Sequence, residues 1–405
     1  MLSYKQALEK IIRHSSPLKA KLLPLREALG LVVAKDIFSE EPFPSFDNSA
    51  VDGYAISAPK RRLPRLLKVQ GEVQAGEVFK GGLKPGHAVR IFTGAPVPKG
   101  TQAVVMQEYT GRVNGRVALL KPPKLNDNIR FRGEDFERGT ILVKKGTLLG
   151  PTQLALLATV GCDKVPVYPP VKVAILATGS ELLKVGERLR PGKIHDSNSI
   201  LLEALVKQVG GNPSSFPSVG DNFRTIRSRI RKGLKNDILL ISGGVSVGKY
   251  DFVKEVLEQE GVQEIFWKVD IKPGKPLFFG KKGQTLVFGL PGNPVSVFVT
   301  FMEFVKPAIE KMMRRESFER WVGGHLTHEF QNGNRFHFIR VRCIPSKQGY
   351  QIIPLKGQGS HMVGSLAKAN AILRVEPNTV LKRNQQVYVK IIGGEEWPCL
   401  PCYRL

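Results

Sequence analysis

The chain has 405 residues, 42% of them hydrophobic and 24% charged, too long for a single core and ordinary in composition for a globular protein. Low complexity, repeats and disorder are excluded as themes, and no apolar run reaches the length of a membrane span. The formal net charge of +26 suits a polyanion or a phosphorylated substrate. The lysines and arginines are spread along the chain, with only short runs such as Lys60-Arg61-Arg62 and Arg227 to Lys235. They show neither an aromatic-interleaved RNA-binding pattern nor a zinc-finger spacing, so nucleic acid is not expected as a partner.

The start, MLSYKQALEKIIRHSS, spaces Ala7, Ile11 and Ile12 as a helix does. Its interleaved charges deny it the apolar core of a signal peptide, so a cytoplasmic location is expected. Leu22, Leu25, Leu29 and Leu31 suggest a second amphipathic segment, with Pro24 near its start. From about residue 38 to residue 140 the chain turns rich in valine, glycine and proline, which reads as short strands joined by turns. Leu148 to Val160 returns to helical spacing, with Leu154, Leu157 and Ala158 on one side. A helical domain from 1–37 and 141–168, carrying an inserted β-rich domain at 38–140, is the reading that follows.

From Val171 strands and helices alternate, which predicts a parallel sheet with helices on both faces over residues 169–318. VKVAILA ends at Thr178-Gly179-Ser180-Glu181, and Ser197 or Asn198 is placed to cap the next helix. A strand into Val219 and a basic helix follow. The apolar run Ile238 to Ile241 then stops at Ser242 and meets two glycines, in the stretch DILLISGGVSVGKYDF. Gly243, Gly244 and Gly248 let backbone N–H groups face an anion, Ser246 can add a hydroxyl, and Asp251 closes the loop. A helix follows to Glu260, and the strand Thr285 to Leu290 runs into Pro291-Gly292-Asn293-Pro294, with Asn293 as cap and Pro294 as first helical residue. Ligands on such sheets gather beyond the strand C-termini, where TGSEL, SGGVSVG and PGNP all fall. Residues 319–405 revert to alternating strands, among them FHFIRVRCI, YQIIPL and QQVYVKII.

Glu181, Asp221 and Asp251 each follow a strand, as helix caps or as joint ligands of a divalent cation bridging phosphate oxygens. Lys268, Lys272 and Lys275, around Pro273-Gly274, are surface charges or neutralise phosphates or a small oxyanion. PSFDNSAVDGYA, with Asp47, Asn48, Asp52 and Gly53, is a specified turn or part of a site, and the same choice attaches to Thr93-Gly94-Ala95-Pro96 and Arg132-Gly133-Glu134-Asp135. No histidine pair has metal-ligand spacing, and among them only His361 draws notice. Cys162, Cys343, Cys399 and Cys402 make no disulfide framework, and the terminal CxxC lacks a second pair to complete a zinc site.

Taken together, FDNSAVDGYA, FTGAPVP, RGED, ATGSEL, SGGVSVGKYD, IKPGKP, GLPGNPVS and GQGSH resemble the molybdopterin molybdenumtransferase family, the MoeA and gephyrin E-domain group. They occur in the family's order from about residue 44 to residue 361. The resemblance implies a discontinuous helical domain, an inserted β-rich domain, a central doubly wound α/β domain resembling the molybdopterin adenylyltransferase, and a C-terminal β-barrel. It implies Mg²⁺-dependent insertion of molybdate into adenylated molybdopterin with release of AMP. The family's acidic and polar positions fall on Asp52, Thr93, Asp135, Glu181, Asp221 and Asp251, the metal being assigned to Glu181, Asp221 and Asp251. Its substrate-binding positions fall on Gly243, Gly244, Ser246, Gly248, Lys268, Lys272, Lys275, Pro291, Asn293, Pro294, Arg340 and Ser360. Arg342 competes with Arg340 in FHFIRVRC.

The resemblance also implies a homodimer with the active site between subunits, the adenylyltransferase and molybdoenzymes as partners, and no membrane. An adenylyltransferase acting alone is a poorer match, because it lacks the residues before and after the α/β region. A scaffold without turnover and a tungstate-specific enzyme remain the rival readings. The basic balance and the terminal CxxC are not part of the family pattern.

Overall fold

The computed structural model describes residues 1–57, 65–244, 252–316, 319–347 and 349–392. Asp251, Ser246 and Gly248, and the cysteines of the terminal CxxC, lie outside the described residues. The chain forms two compact units, one of residues 1–22, 30–34 and 166–405, the other of residues 23–29 and 35–165.

In the larger unit the core is a six-stranded sheet. Its strands run in the order Asn212–Ser215, Lys172–Ala177, Ile238–Ser242, Thr285–Leu290, Phe278–Lys282, Gln263–Trp267. Each of the first three neighbouring pairs is parallel, and the last two strands return antiparallel. The parallel sheet expected from the alternation is thus present in its first four strands, and the structure adds one strand of opposite direction, Phe278–Lys282, near the far edge. Residues 263–282 contain no helix with which to make a crossover, so a short antiparallel return is the only connection open to them. Ile238–Ser242 and Thr285–Leu290 are buried at every position, as strands covered on both faces must be. The order also fixes a switch point between Lys172–Ala177 and Ile238–Ser242, from which successive connections leave in opposite directions.

Five further strands close a barrel. Phe336–Ser346 pairs with both Gly349–Pro354 and Ala371–Val375, and the ring is completed through Trp321–Leu326 and Gln386–Ile391. Ile339, Val341, Ile352, Leu373 and Val389 fill it. The N-terminal helix, Tyr4–His14, is capped by Ser3 and buries Ala7 and Ile11, and Lys311 donates to the carbonyl of Ile12.

The smaller unit carries a six-stranded sheet in the order Ala103–Met106, Gly53–Ile56, His87–Ile91, Leu66–Val73, Arg116–Leu119, Thr110–Val113. Strand alternation sends Tyr54 and Ile56 into one core and Ala55 into another, so this sheet is covered on both faces. Pro151–Thr159 is helical as expected, but it buries Leu157 and leaves Ala158 exposed.

The second amphipathic helix is corrected. Lys21–Pro24 is a strand and Leu25–Glu27 a single 3₁₀ turn, with Leu22 and Leu29 exposed. The residue before a proline is pushed out of the α region, and Leu23 obeys that rule ahead of Pro24.

Candidate active site

In the smaller unit three loops that were ambiguous singly are bonded into one structure. Ser49 N–H donates to the Ala95 carbonyl at 3.0 Å, Gly94 N–H to Ser49 at 2.8 Å and Val97 N–H to Asp47 at 2.9 Å. Gly133 and Asp135 donate in turn to the Pro44 and Phe43 carbonyls, and Arg132 N–H to the Asp47 carboxylate. The product is a cleft of about 550 Å³ whose wall includes Phe43, Phe46, Gly94, Arg130 and Asp135.

Beside it Asp52 Oδ1 accepts from the Thr93 backbone N–H at 2.8 Å and from the Thr93 hydroxyl at 2.7 Å. Those two bonds hold the exposed Asp52 carboxyl below its ordinary pKa. Gly53 follows for a steric reason: a Cβ there would stand 1.9 Å from the Val105 carbonyl oxygen. Asp52, Thr93 and Asp135, expected as catalytic, therefore meet in one neighbourhood of this unit.

The larger unit gathers its motifs at the strand C-termini. Thr178 N–H donates to Ser242 O at 2.9 Å, and Gly243 N–H to Leu290 O at 3.2 Å. Gly243 and Gly244 adopt φ of 85° and 64°, and a Cβ on Gly243 would meet the Thr178 carbonyl at 2.4 Å, so only glycine fits. Ser180 Oγ donates to Asp221 Oδ2 at 2.8 Å. Glu181 is exposed and makes no side-chain bond or ion pair among the described residues.

Asn293 precedes the helix Pro294–Thr300, but its side chain does not cap it. The Asn293 amide donates instead to Ser360 Oγ at 2.9 Å, and Val295 N–H donates to Ser360 O, which joins PGNP to GQGSH.

Between the two candidate arginines the structure discriminates. Arg342 is exposed, whereas Arg340 is fully buried. The Arg340 guanidinium donates to Ser365 Oγ and to the Gly357 and Gly359 carbonyls at 2.8 to 3.1 Å, and so holds the loop that presents Ser360. Burial without a carboxylate partner pushes its pKa down.

The three lysines share a closed loop, in which Val269 N–H and Leu277 N–H both donate to the Lys275 carbonyl at 3.0 Å. Lys268 lies over the Trp267 ring at 4.1 Å, Lys272 is exposed and its strand pairs with Phe336–Ser346 opposite His337, and Lys275 is half-buried. Among the described residues no hydrogen bond or ion pair joins these side chains to the rim.

Among the described residues no group of three or more histidine, cysteine, aspartate or glutamate side chains is arranged to hold a metal. Glu181 and Asp221 are present at the rim and Asp251 is outside the described residues. Sequence reasoning missed Asn198, whose amide donates to Ser242 Oγ at 2.9 Å and to Gly292 O at 2.6 Å. It was read as a possible cap; the cap is Asp196, whose carboxylate takes Ser199 N–H and Oγ–H. That moves Asn198 into the first turn and frees its side chain.

Comparison with known proteins decides the family. Residues 2–161 match the MoeA N-terminal region (domains I and II), residues 174–311 a probable molybdopterin binding domain, and residues 326–392 the MoeA C-terminal region (domain IV). The molybdopterin molybdenumtransferase of Haemophilus influenzae is 37% identical over 383 residues, covering 93% of this chain and 95% of that protein. The chain belongs to the molybdopterin molybdenumtransferase family. The family enzyme of Bacillus subtilis is 34% identical, covering 97% and 95% of the two chains. The crystal structure of a MoeA protein of molybdopterin biosynthesis from Pyrococcus horikoshii superposes with a TM-score of 0.78 at 32% identity, over 97% of this chain and all of that one. Molybdenumtransferase relatives thus extend over all three matched regions and both compact units.

Proposed function

We propose that this protein inserts molybdenum into molybdopterin, taking molybdate and the adenylated pterin as substrates and releasing AMP. The observation that carries the reading is the rim of the larger unit. There the Gly243-Gly244 turn and the PGNP loop, both inside the region that matches a molybdopterin binding domain, are bonded to the Arg340-held Ser360 of the region that matches the MoeA C-terminal domain. Its chemistry suits an anhydride substrate. Left-handed glycines open backbone N–H groups to phosphate, and Lys272 and Lys275 bring compact positive charge.

Mg²⁺ fits the donors available: Glu181 and Asp221 offer anionic oxygens, and Glu181 has no competing partner among the described residues. When bound there it would neutralise the phosphate oxygens, with Asp251 as the expected third carboxylate. Asp52, fixed by Thr93 as an ionised acceptor, is suited to orient an attacking oxygen or its proton.

The same reading makes the working form a cytoplasmic homodimer, the Asp52 cleft of one chain serving the rim of its partner. No helix among the described residues is long and apolar enough to cross a membrane. Mixing Asp52→Ala with Asp221→Ala chains should then restore activity that neither variant has alone; two inactive variants that stay inactive when mixed would place both groups in one chain's site.

The deciding assay is AMP release from adenylated molybdopterin with Mg²⁺, run with molybdate, with tungstate and with neither oxyanion. Oxyanion-dependent release together with metal-loaded cofactor is the expected result, and the two metals are ranked by it. Binding without turnover under every condition would make the protein a scaffold.

A further inference from the structure

Among the described residues, two buried polar atoms at the rim have no hydrogen-bond partner. Asn198 spends both amide hydrogens, one on Ser242 Oγ and one on Gly292 O, and Ser242 Oγ passes its own hydrogen to Pro291 O at 3.3 Å. This chain of donors fixes which end of the amide is which. Asn198 Oδ1 is left buried without a partner among the described residues.

Thr178, the first residue beyond its strand, is 4% exposed, and its Oγ1 is also without a partner among the described residues. That hydroxyl faces the glycine turn, since a Cβ built on Gly244 would stand 2.7 Å from it. Thr178 also donates its backbone N–H to Ser242 O, and Asn198, in the first turn of its helix, is tied to Ser242 Oγ, so both orphan groups are bonded to the end of the strand Ile238–Ser242 beside the switch point. A buried polar atom with no partner pays the full cost of losing its water, and a fold keeps such atoms where something else satisfies them.

Resting on the proposed function, we infer that Thr178 Oγ1 and Asn198 Oδ1 are the hydrogen-bonding pair for the heterocyclic edge of the pterin. The chemistry is complementary. An aminopyrimidinone edge carries N–H donors beside a carbonyl acceptor; Asn198 Oδ1 can only accept, and Thr178 Oγ1–H can donate. A phosphate, which offers acceptors alone, would gain nothing from Asn198 Oδ1. The pair would therefore read the ring, while the glycine turn and the lysines deal with anionic groups.

The test uses the full-length chain, titrated separately with molybdopterin and with AMP, alongside thermal unfolding. Thr178→Val keeps the shape and removes the hydroxyl. It should weaken molybdopterin binding by about five- to tenfold, leave AMP binding unchanged, and leave Tm equal or slightly higher, because an unsatisfied group has been removed from the interior. Asn198→Ala also loses two loop ties, so Tm should fall; its informative readout is a larger loss for molybdopterin than for AMP.

A fall in Tm for Thr178→Val would show that the hydroxyl is bonded within the fold and overturn the inference. Unchanged molybdopterin affinity would do the same, as expected of a group satisfied by a trapped water. An equal loss for both ligands would point to a general disturbance of the rim and also overturn it. If the unaltered protein bound no molybdopterin, the proposed function itself would fail, and this reading with it.

Discussion

Two arginines on neighbouring barrel strands meet opposite fates. Arg374 pairs with Glu303 and Glu319 and lies over the rings of Tyr4 and Trp321. Arg340, on the strand paired with it, has only carbonyls and a hydroxyl as partners, and its Nη1 has none among the described residues. The first belongs to a buried network in which Lys390 also binds Glu303 and Glu319, and the Tyr4 hydroxyl donates to Glu303 at 2.8 Å. Glu303 itself sits in a π-helical turn, Phe301–Val305, that follows the PGNP helix. A buried charge with full counter-ions joins elements together. A buried charge that lacks them is held by dipoles alone, at a cost in desolvation.

The largest effect should come from breaking the paired network. Glu303→Ala takes one of two carboxylates from Lys390, which is 2% exposed, and from Arg374, leaving both cations to Glu319 alone, and should cost about 3 kcal/mol by denaturant unfolding. Arg340→Met removes a buried charge without stranding an opposite one. It should cost less stability, about 1–2 kcal/mol, yet lower molybdenum insertion about tenfold or more, because the loop bearing Ser360 loses its anchor. Equal destabilisation by the two variants would erase the distinction drawn here.

His337 sharpens it with a neutral group. Burial, aided by Lys272 and Arg340, lowers its pKa from the ordinary 6.5 to about 4. The folded state therefore holds it uncharged, with Nδ1 against Asn332 Oδ1 at 3.1 Å. Because the folded value is below the unfolded one and the neutral form is favoured, its contribution is complete above about pH 6.5. It is lost as pH falls toward 4, where the unfolded chain takes up the proton first, and amounts to at most about 3 kcal/mol. Stability measured across that window should be visibly less pH-dependent in His337→Gln. The smallest effect belongs to the exposed pair of Arg132 and Glu41 at 4.0 Å: Glu41→Gln should change unfolding by under about 0.5 kcal/mol.

Much of the site could be read from the sequence because its motifs are local. Gly243-Gly244 and PGNP follow apolar runs that can only be buried strands, and the structure ends those strands at Ser242 and Leu290. What escaped was whatever depends on distant partners. Asp52 is oriented by Thr93, 41 positions away, and Arg340 shares a strand face with Arg342 but alone is covered by the loop of Gly357, Gly359 and Ser365. Glu303 stands within an apolar helix as an isolated acid until the barrel supplies its cations. The leucines near residue 25 have helical spacing, but Pro24 among them holds the segment extended, and Asn198, a suitable cap by residue type, is displaced from that role by Asp196 two positions earlier.

The barrel's closure has a bearing on how the protein behaves when concentrated. Phe336–Ser346 is bonded on both sides, so the ring offers no free run of backbone to which a second molecule could add a strand. The central sheet does end in two open strands, and both are blunted: one carries Pro213, and the other has an irregularity between Glu264 and Phe266 with Lys254 paired to Glu264 beside it. Among the described residues, the barrel and the central sheet therefore leave association to side chains, which permits a specific pair and discourages a fibre.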